Sequence, residues 1–234
     1  MSLQNREATD EYLQSTEMCD CDNKTLREKA KDIVSGSLTQ KESALRLFYF
    51  VRDQIMFGMD YPDVRASRTL SKKIGFCLTK TNLQIALLRA INIPARCHYV
   101  HLPKEQVKDI TPGFMYSRMP AVIGHSWCEC YLSNRWIGCE AIMDKSLYEA
   151  DLKMGFFTKQ QMPTIDWDGE NDLILFKPWF IKDIGTFSNL KDAMIESNKR
   201  GESLLPSNRL FGWIIYFLIN RNISNFRKSY KMDG

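Results

Sequence analysis

The sequence lacks the features by which several classes of protein are recognised. Its 32 Lys and Arg and 28 Asp and Glu leave a net charge of only +4, and the basic residues are spread along the chain. Because nucleic-acid binding needs clustered Lys and Arg, this distribution argues against a nucleic-acid partner. There is no G-x-x-x-x-G-K-[ST] phosphate-binding loop, no internal repeat and no low-complexity tract.

The sequence also lacks a secretory signal and a disulfide pattern. Residues 1–17 are polar and acidic, without the basic start and apolar stretch of a signal peptide. The seven cysteines are odd in number and are not spaced as a disulfide framework. Both observations predict a reducing, cytoplasmic setting, in which a free thiol can serve as a nucleophile.

Cysteine spacing does not indicate a metal site either. Cys19 and Cys21, like Cys128 and Cys130, have C-x-C spacing rather than the C-x2-C spacing of zinc sites. Strand alternation places Cys128, Cys130 and Cys139 on one face, where they are expected to be small buried side chains. We therefore predict no metal and no organic cofactor.

The apolar run at residues 211–219 is far shorter than the roughly 20 residues that span a bilayer. It predicts a C-terminal helix that docks on the core. A contact with a protein partner or a membrane surface is the alternative, because basic residues follow the run.

Hydrophobic periodicity predicts an α+β fold. A long loop, of the kind that often forms a lid or a binding surface, is expected at residues 104–122. The two residues Ser133 and Asn134 predict a hairpin between the last two strands. The expected helices cover residues 23–35, 39–57, 77–91, 188–199 and 207–230, and the expected strands cover residues 95–102, 124–132 and 135–143.

Gly75-Phe76-Cys77 places a cysteine at the start of the helix predicted at residues 77–91. The unpaired N–H groups and the dipole of a helix N-terminus favour a thiolate, and the same N–H groups can hold an oxyanion. Taken alone, a cysteine at a helix start is more often a packing residue than a nucleophile.

His125 is one of only three histidines and begins a predicted strand, with Trp127 on the same face. A histidine base must reach the thiol and must itself be oriented by a third group. If the hairpin loop is Ser133-Asn134, Glu140 faces Trp127 and lies diagonal to His125. A loop shifted by one residue would instead place Asp144 opposite His125, so strand geometry leaves both acids open.

Taken together, these motifs resemble the transglutaminase-like superfamily of papain-like thiol enzymes over residues 42–143. The resemblance implies a nucleophile helix packed on an antiparallel sheet, and it selects Glu140 over Asp144, at a position where the family usually has Asp. It assigns Cys77 as nucleophile and His125 as base, and we add Phe76 and Trp127 as predicted substrate-binding residues. The motifs are Gly75-Phe76-Cys77, Ile93-Pro94-Ala95-Arg96, Gly124-His125-Ser126-Trp127-Cys128-Glu129, and Trp136 followed four residues later by an acid.

These inferences predict a papain-like, transglutaminase-like α+β core at residues 39–180. A helical extension is expected at residues 1–38 and a helical segment packed on the core at residues 181–234. The expected function is acyl transfer by a cysteine nucleophile on an amide or peptide-like substrate, as an amidase, protease or transglutaminase, and a cytoplasmic setting favours hydrolysis. The alternative is a catalytically impaired domain that acts as a binding or scaffold module.

Overall fold

The structure is a computed structural model that describes residues 9–198 and 209–232. Short 3-10 helices cover Asp10–Leu13, Lys104–Val107 and Lys177–Trp179. The α-helices are α1 (Lys24–Ile33), α2 (Gln40–Gln54), α3 (Ala66–Lys72), α4 (Cys77–Ala90), α5 (Gly113–Tyr116), α6 (Lys145–Met154), α7 (Leu190–Asn198) and α8 (Arg209–Met232). The strands are β1 (Met56–Phe57), β2 (Ile74–Gly75), β3 (Ala95–Pro103), β4 (Val122–Leu132), β5 (Arg135–Gly138) and β6 (Lys182–Phe187).

A four-stranded antiparallel sheet with the order β5-β4-β3-β6 supports the molecule. Leu132 pairs with Arg135, which confirms the predicted two-residue hairpin loop. Ser133 and Asn134 have φ angles of 50° and 62°, the left-handed conformation that matches the twist of the two strands. The α+β fold, with a helix beginning at Cys77 packed on an antiparallel sheet, is confirmed.

Helix α4 is buried on nearly all sides, between the sheet and helices α1 to α3. Its buried polar side chains bond to the backbone of neighbouring segments, as buried polar groups must. Lys80 Nζ donates to Ile55 O (2.6 Å), Asn82 Nδ2 to Met18 O (2.9 Å) and Gln84 Nε2 to Cys139 O (2.9 Å). These bonds fix the position of α4, and with it the position of Cys77.

Two predicted elements end earlier than expected. The helix predicted at residues 39–57 stops at Gln54, because residues Met56–Phe57 pair in parallel with β2. The strand predicted at residues 135–143 stops at Gly138. Cys139 N still donates to Cys128 O (2.8 Å), but the chain then turns to Leu173, whose carbonyl accepts from Glu140 N (3.0 Å).

Besides the short elements β1, β2 and α5, three longer elements were not predicted. The segment at residues 59–74 was expected to be irregular but contains α3, whose first turn is capped from a distance by Asp20, which accepts from Ser67 N (3.0 Å). Helix α6 lies in a segment without a readable pattern. Strand β6 pairs with β3 inside the segment that was expected to be helical.

Helix α8 docks on the core through polar contacts at Asn220 and Arg227. Asn220 Nδ2 donates to Met59 O (2.9 Å), and Arg227 pairs with Asp144. Its other side exposes Trp213 and Phe217, at 65% and 55%, so a partner contact for this helix stays a prediction. Residues 199, 207 and 208 of the two predicted C-terminal helices lie outside the described residues. Within the described ranges, no helix combines the length and apolar character needed to cross a membrane.

Candidate active site

Cys77 is the first residue of α4, and the two residues before it are fixed by Thr79. Phe76 N donates to Thr79 Oγ1 (3.0 Å). A Cβ on Gly75 would lie 2.7 Å from the same oxygen, so this position requires glycine. The thiol therefore lies half-buried at a rigid helix start, where the first backbone N–H groups have no partners within the helix.

His125 and Glu140 form a buried pair beside this thiol. The two side chains are joined by His125 Nε2 and Glu140 Oε1, 2.8 Å apart, and Glu140 is fully buried. The other carboxylate oxygen of Glu140 accepts from Leu175 N. Since Nε2 faces Glu140, Nδ1 is the ring nitrogen left for Cys77, whose thiol lies within hydrogen-bonding reach of the ring.

Asp144, the other acid that strand geometry left open, lies in a different environment. Its side chain caps α6 by accepting from Leu147 N (3.1 Å), accepts from Phe57 N (2.9 Å) and pairs with Arg227. The structure thus brings Cys77, His125 and Glu140 together and does not bring Asp144 to His125. Their catalytic roles stay predictions.

The environment of His125 favours a protonated imidazole. Burial is the largest influence on its pKa and lowers it, but the charge of Glu140 and the hydrogen bonds that the ring donates to Cys77 and Glu140 outweigh burial and raise the pKa to about 9. At neutral pH an imidazolium therefore lies beside Cys77.

Trp127 is a buried aromatic residue on the same strand as His125. Its ring is 1% exposed, stacks on His98 (4.2 Å between centroids) and Phe180 (5.4 Å), and lies 6.5 Å from the His125 ring. Trp127 does not line the cavity that contains Cys77 and His125. A substrate in that cavity would therefore not touch Trp127, which was predicted to bind substrate. Phe176, which sequence reasoning missed, packs edge-on against His125 at 4.8 Å.

Cys77 and His125 line a cavity of about 890 Å³. Phe76, predicted to bind substrate, lies in its wall, as does most of the loop predicted at residues 104–122. The wall is mostly apolar, and α8 contributes Ile215, Tyr216 and Ile219 to it. Sequence reasoning missed this contribution, because nothing in the pattern of α8 shows which face meets the cavity.

The remaining cysteines differ from Cys77 in burial. Burial raises the pKa of the Cys97, Cys128 and Cys139 thiols, so they stay protonated. Cys21 is the exception, because a hydrogen bond with Cys19 is the largest influence on its pKa and lowers it to about 7. Among the described residues, which include all seven cysteines, no group of His, Cys, Asp or Glu has the arrangement of a metal site.

Residues 27–141 match the family model described as the transglutaminase-like superfamily. The chain carries a transglutaminase-like core. The matched segment contains Cys77, His125 and Glu140 and ends one residue beyond Glu140, so the family resemblance predicted from the motifs is confirmed. No curated protein matches the sequence.

A solved structure shares the fold at low sequence identity. A proposed cysteine protease from Cytophaga hutchinsonii is 17% identical, with a TM-score of 0.51, over 80% of this chain and 49% of that protein. The chain thus spans about half the length of that protein, and the likeness shows the papain-like fold alone. A proposed protease from Parabacteroides distasonis is 11% identical over 57% of this chain and 25% of that protein. Its TM-score of 0.37 does not establish a shared fold.

Proposed function

We propose that the protein is a thiol enzyme that transfers an acyl group from an amide or peptide-like substrate through Cys77, His125 and Glu140. The observation that carries this proposal is the buried chain of contacts from Glu140 through His125 to Cys77, which ends at a large apolar cavity. A nucleophile, a base and an orienting acid in that order are the parts that such chemistry needs.

In the first half-reaction, the Cys77 thiolate forms a C–S bond with the substrate carbonyl carbon. The carbonyl electron pair moves onto oxygen, where backbone N–H groups at the start of α4 stabilise the charge. The imidazolium of His125 then gives its proton to the leaving nitrogen, and the C–N bond breaks to leave a thioester and a free amine.

In the second half-reaction, neutral His125 takes a proton from water as the water attacks the thioester. The C–S bond breaks, and the acid product leaves while Cys77 returns to the thiolate beside the imidazolium. An amine that attacks in place of water gives transamidation. Because all seven cysteines are free thiols, we propose that the protein works in a reducing compartment such as the cytoplasm. In that setting we propose hydrolysis as the main outcome.

The position of Glu140 supports an active site rather than an impaired scaffold. Glu has one methylene more than the Asp usual in the family, and here its carboxylate is held at both oxygens, by His125 and by Leu175 N. The backbone N–H of Glu140 also donates to Leu173 O (3.0 Å). These bonds keep the carboxylate at hydrogen-bond distance from the imidazole despite the longer side chain.

The turnover of p-nitrophenyl acetate tests the proposal without knowledge of the natural substrate. We expect the wild type to release nitrophenol over many turnovers and to show an acetyl group on the peptide containing Cys77. Cys77→Ala should remove both signals. His125→Ala should block turnover by preventing deacylation.

A stoichiometric acetylation that stops, with the same time course in wild type and His125→Ala, would contradict catalysis and favour the scaffold interpretation. Added glycine ethyl ester then separates the two reaction outcomes. Acetylated glycine ester indicates transfer to an amine, and acetate alone indicates hydrolysis.

A further inference from the structure

Two carboxyl groups in the wall of the same cavity have no part in the proposed mechanism. Asp151 lies on α6 and is 4% exposed, and Asp109 is half-buried on the segment between the 3-10 helix Lys104–Val107 and α5. Their side chains lie within hydrogen-bonding reach of each other. Both line the cavity that contains Cys77.

The surroundings of this pair are apolar. Asp151 lies on α6, which also carries Leu147. Leu147 belongs to a buried hydrophobic cluster that includes Ile110, Met143 and Phe157. In the described part of the chain, Oδ1 of Asp151 has no hydrogen-bond partner, and neither carboxyl forms an ion pair with a basic side chain. An unpartnered buried polar atom is costly, so a donor group that enters the cavity would stabilise this oxygen.

The charge state of the pair supports the same conclusion. Burial raises the pKa of Asp151, and the charge of Asp109, their hydrogen bond and the charge of Asp144 raise it further, against a smaller opposing effect of Arg227. Burial also raises the pKa of Asp109. The pair therefore holds a proton at neutral pH that an entering cation can replace.

The backbone next to the pair is held in place by α8. Asn222 Nδ2 donates to Ile110 O (3.0 Å), and it lies 3.4 Å from Asp109 O. These contacts hold the backbone on the Asp109 side of the pair in place, as a preformed binding site requires.

Other charges on the cavity wall are mostly acidic. Asp63 and Glu105 are exposed acids that line it. Besides His125, the basic residue on the wall among the described residues is Arg118, which is exposed and whose Nη1 donates to Phe114 O (2.7 Å). The cavity thus combines apolar walls with an excess of negative charge.

We propose that Asp109 and Asp151 bind the ammonium or guanidinium group of a substrate whose amide carbonyl reaches Cys77. The substrate class is an amide with a basic group carried on an apolar arm, such as a basic side chain or an arylalkylamine moiety. The inference rests on the proposed function, because it takes the cavity at Cys77 as the place where the substrate binds.

Isothermal titration of the Cys77→Ala protein with phenethylamine and with 2-phenylethanol tests the pair. The two probes share the apolar group and differ in the cation. We expect the amine to bind at least about tenfold more tightly than the alcohol. Titrations in buffers with different ionisation enthalpies should show release of a proton on binding of the amine but not of the alcohol.

Asp151→Asn and Asp109→Asn should each remove the preference for the amine and the proton release. Asp192→Asn, an exposed acid on α7 that does not line the cavity, serves as the matched control and should leave both unchanged. Asn fills the space of the protonated Asp, and a thermal melt of each variant reports its folding. If Asp151→Asn does not fold, Asp109→Asn decides.

Equal binding of both probes, or a preference that survives in Asp109→Asn and in a folded Asp151→Asn, would overturn the inference. The proposed function fails independently of it. The titration uses a protein without the Cys77 thiol, whereas turnover of p-nitrophenyl acetate depends on that thiol and involves no cation.

Discussion

The two ring nitrogens of His125 face different partners, and this asymmetry defines the site at the scale of single residues. Nε2 faces Glu140 at 2.8 Å, and Nδ1 remains for Cys77. The protonation state of the ring therefore depends on a carboxylate that does not line the cavity. Glu140 is in this sense a positioning residue for His125.

Glu140→Gln should lower the pKa of His125, because it removes the negative charge that raises this pKa to about 9. An NMR titration of the imidazole measures the shift. We expect turnover of p-nitrophenyl acetate to fall about 100-fold. Asp144→Asn is the matched control, since Asp144 does not contact His125. If the pKa of His125 moves equally in Glu140→Gln and Asp144→Asn, the assignment of Glu140 is wrong. Partial recovery of turnover in Glu140→Asp would support the assignment.

His125 should also make stability depend on pH. Its folded pKa of about 9 exceeds the ordinary 6.5, so its contribution is fully present below about pH 6.5 and is lost as the pH rises through about 9. A shift of this size corresponds to about 3 kcal/mol. Urea unfolding of wild type and His125→Gln should show a stability difference that shrinks between about pH 6.5 and pH 10. A constant difference over that range would contradict the raised pKa.

At the scale of elements, Asp144 joins α6, β1 and α8. It caps α6 at Leu147 N, accepts from Phe57 N and pairs with Arg227, whose side chain is only 13% exposed. Removing one partner of a buried pair leaves the other charge uncompensated. The docking of α8, and with it one wall of the cavity, therefore depends on this carboxylate.

Asp144→Asn should lower the free energy of unfolding by about 2–4 kcal/mol, from the lost pair and the weakened cap. Urea unfolding measures the loss. The reactivity of Cys77 in the folded variant should be unchanged, because the contacts of His125 remain. A loss of Cys77 reactivity in a variant of unchanged stability would mean that Asp144 acts in the site.

Gly124 leaves room on β4, next to His125, for the side chain of Tyr99 on β3. A Cβ at Gly124 would lie 1.5 Å from Tyr99 Oη and 2.5 Å from its Cζ, so Tyr99 would have to move. Gly124→Ala should therefore destabilise the protein by about 2 kcal/mol or more and reduce Cys77 reactivity. Gly113→Ala is the matched control, since nothing lies within 4 Å of its Cβ. Equal urea midpoints for the two variants would contradict the close approach.

Local signals in the sequence predicted the elements that carry the site. Thr39 and Asn23 cap helices that were placed within a few residues of their ends, and Ser133-Asn134 set the register that brings Glu140 to His125. Helix α3 was missed because its cap, Asp20, lies far away in sequence. Strand β6 was missed because its pairing with β3 depends on tertiary contacts.

At the scale of the whole molecule, the parts that hold the reacting groups and the parts that shape the cavity come from different regions. Cys77, His125 and Glu140 all lie within the transglutaminase-like match at residues 27–141. Asp151, Phe176 and the cavity-lining face of α8 lie beyond it. Motifs in the sequence could therefore predict which residues meet at the candidate site, whereas the shape and charge of the cavity required the folded chain.

The central claim is that Cys77 and His125 form a thiolate–imidazolium pair. The rate of iodoacetamide alkylation at Cys77 against pH, followed on its own peptide by mass spectrometry, tests this pair most directly. Cys21, with its pKa of about 7 from the hydrogen bond with Cys19, must be followed separately as an internal reference. We predict that Cys77 already reacts rapidly near pH 6, and that His125→Ala removes this reactivity without affecting Cys21. A rate that rises only near the ordinary thiol pKa of about 8.5, with the same profile in His125→Ala, would contradict the account.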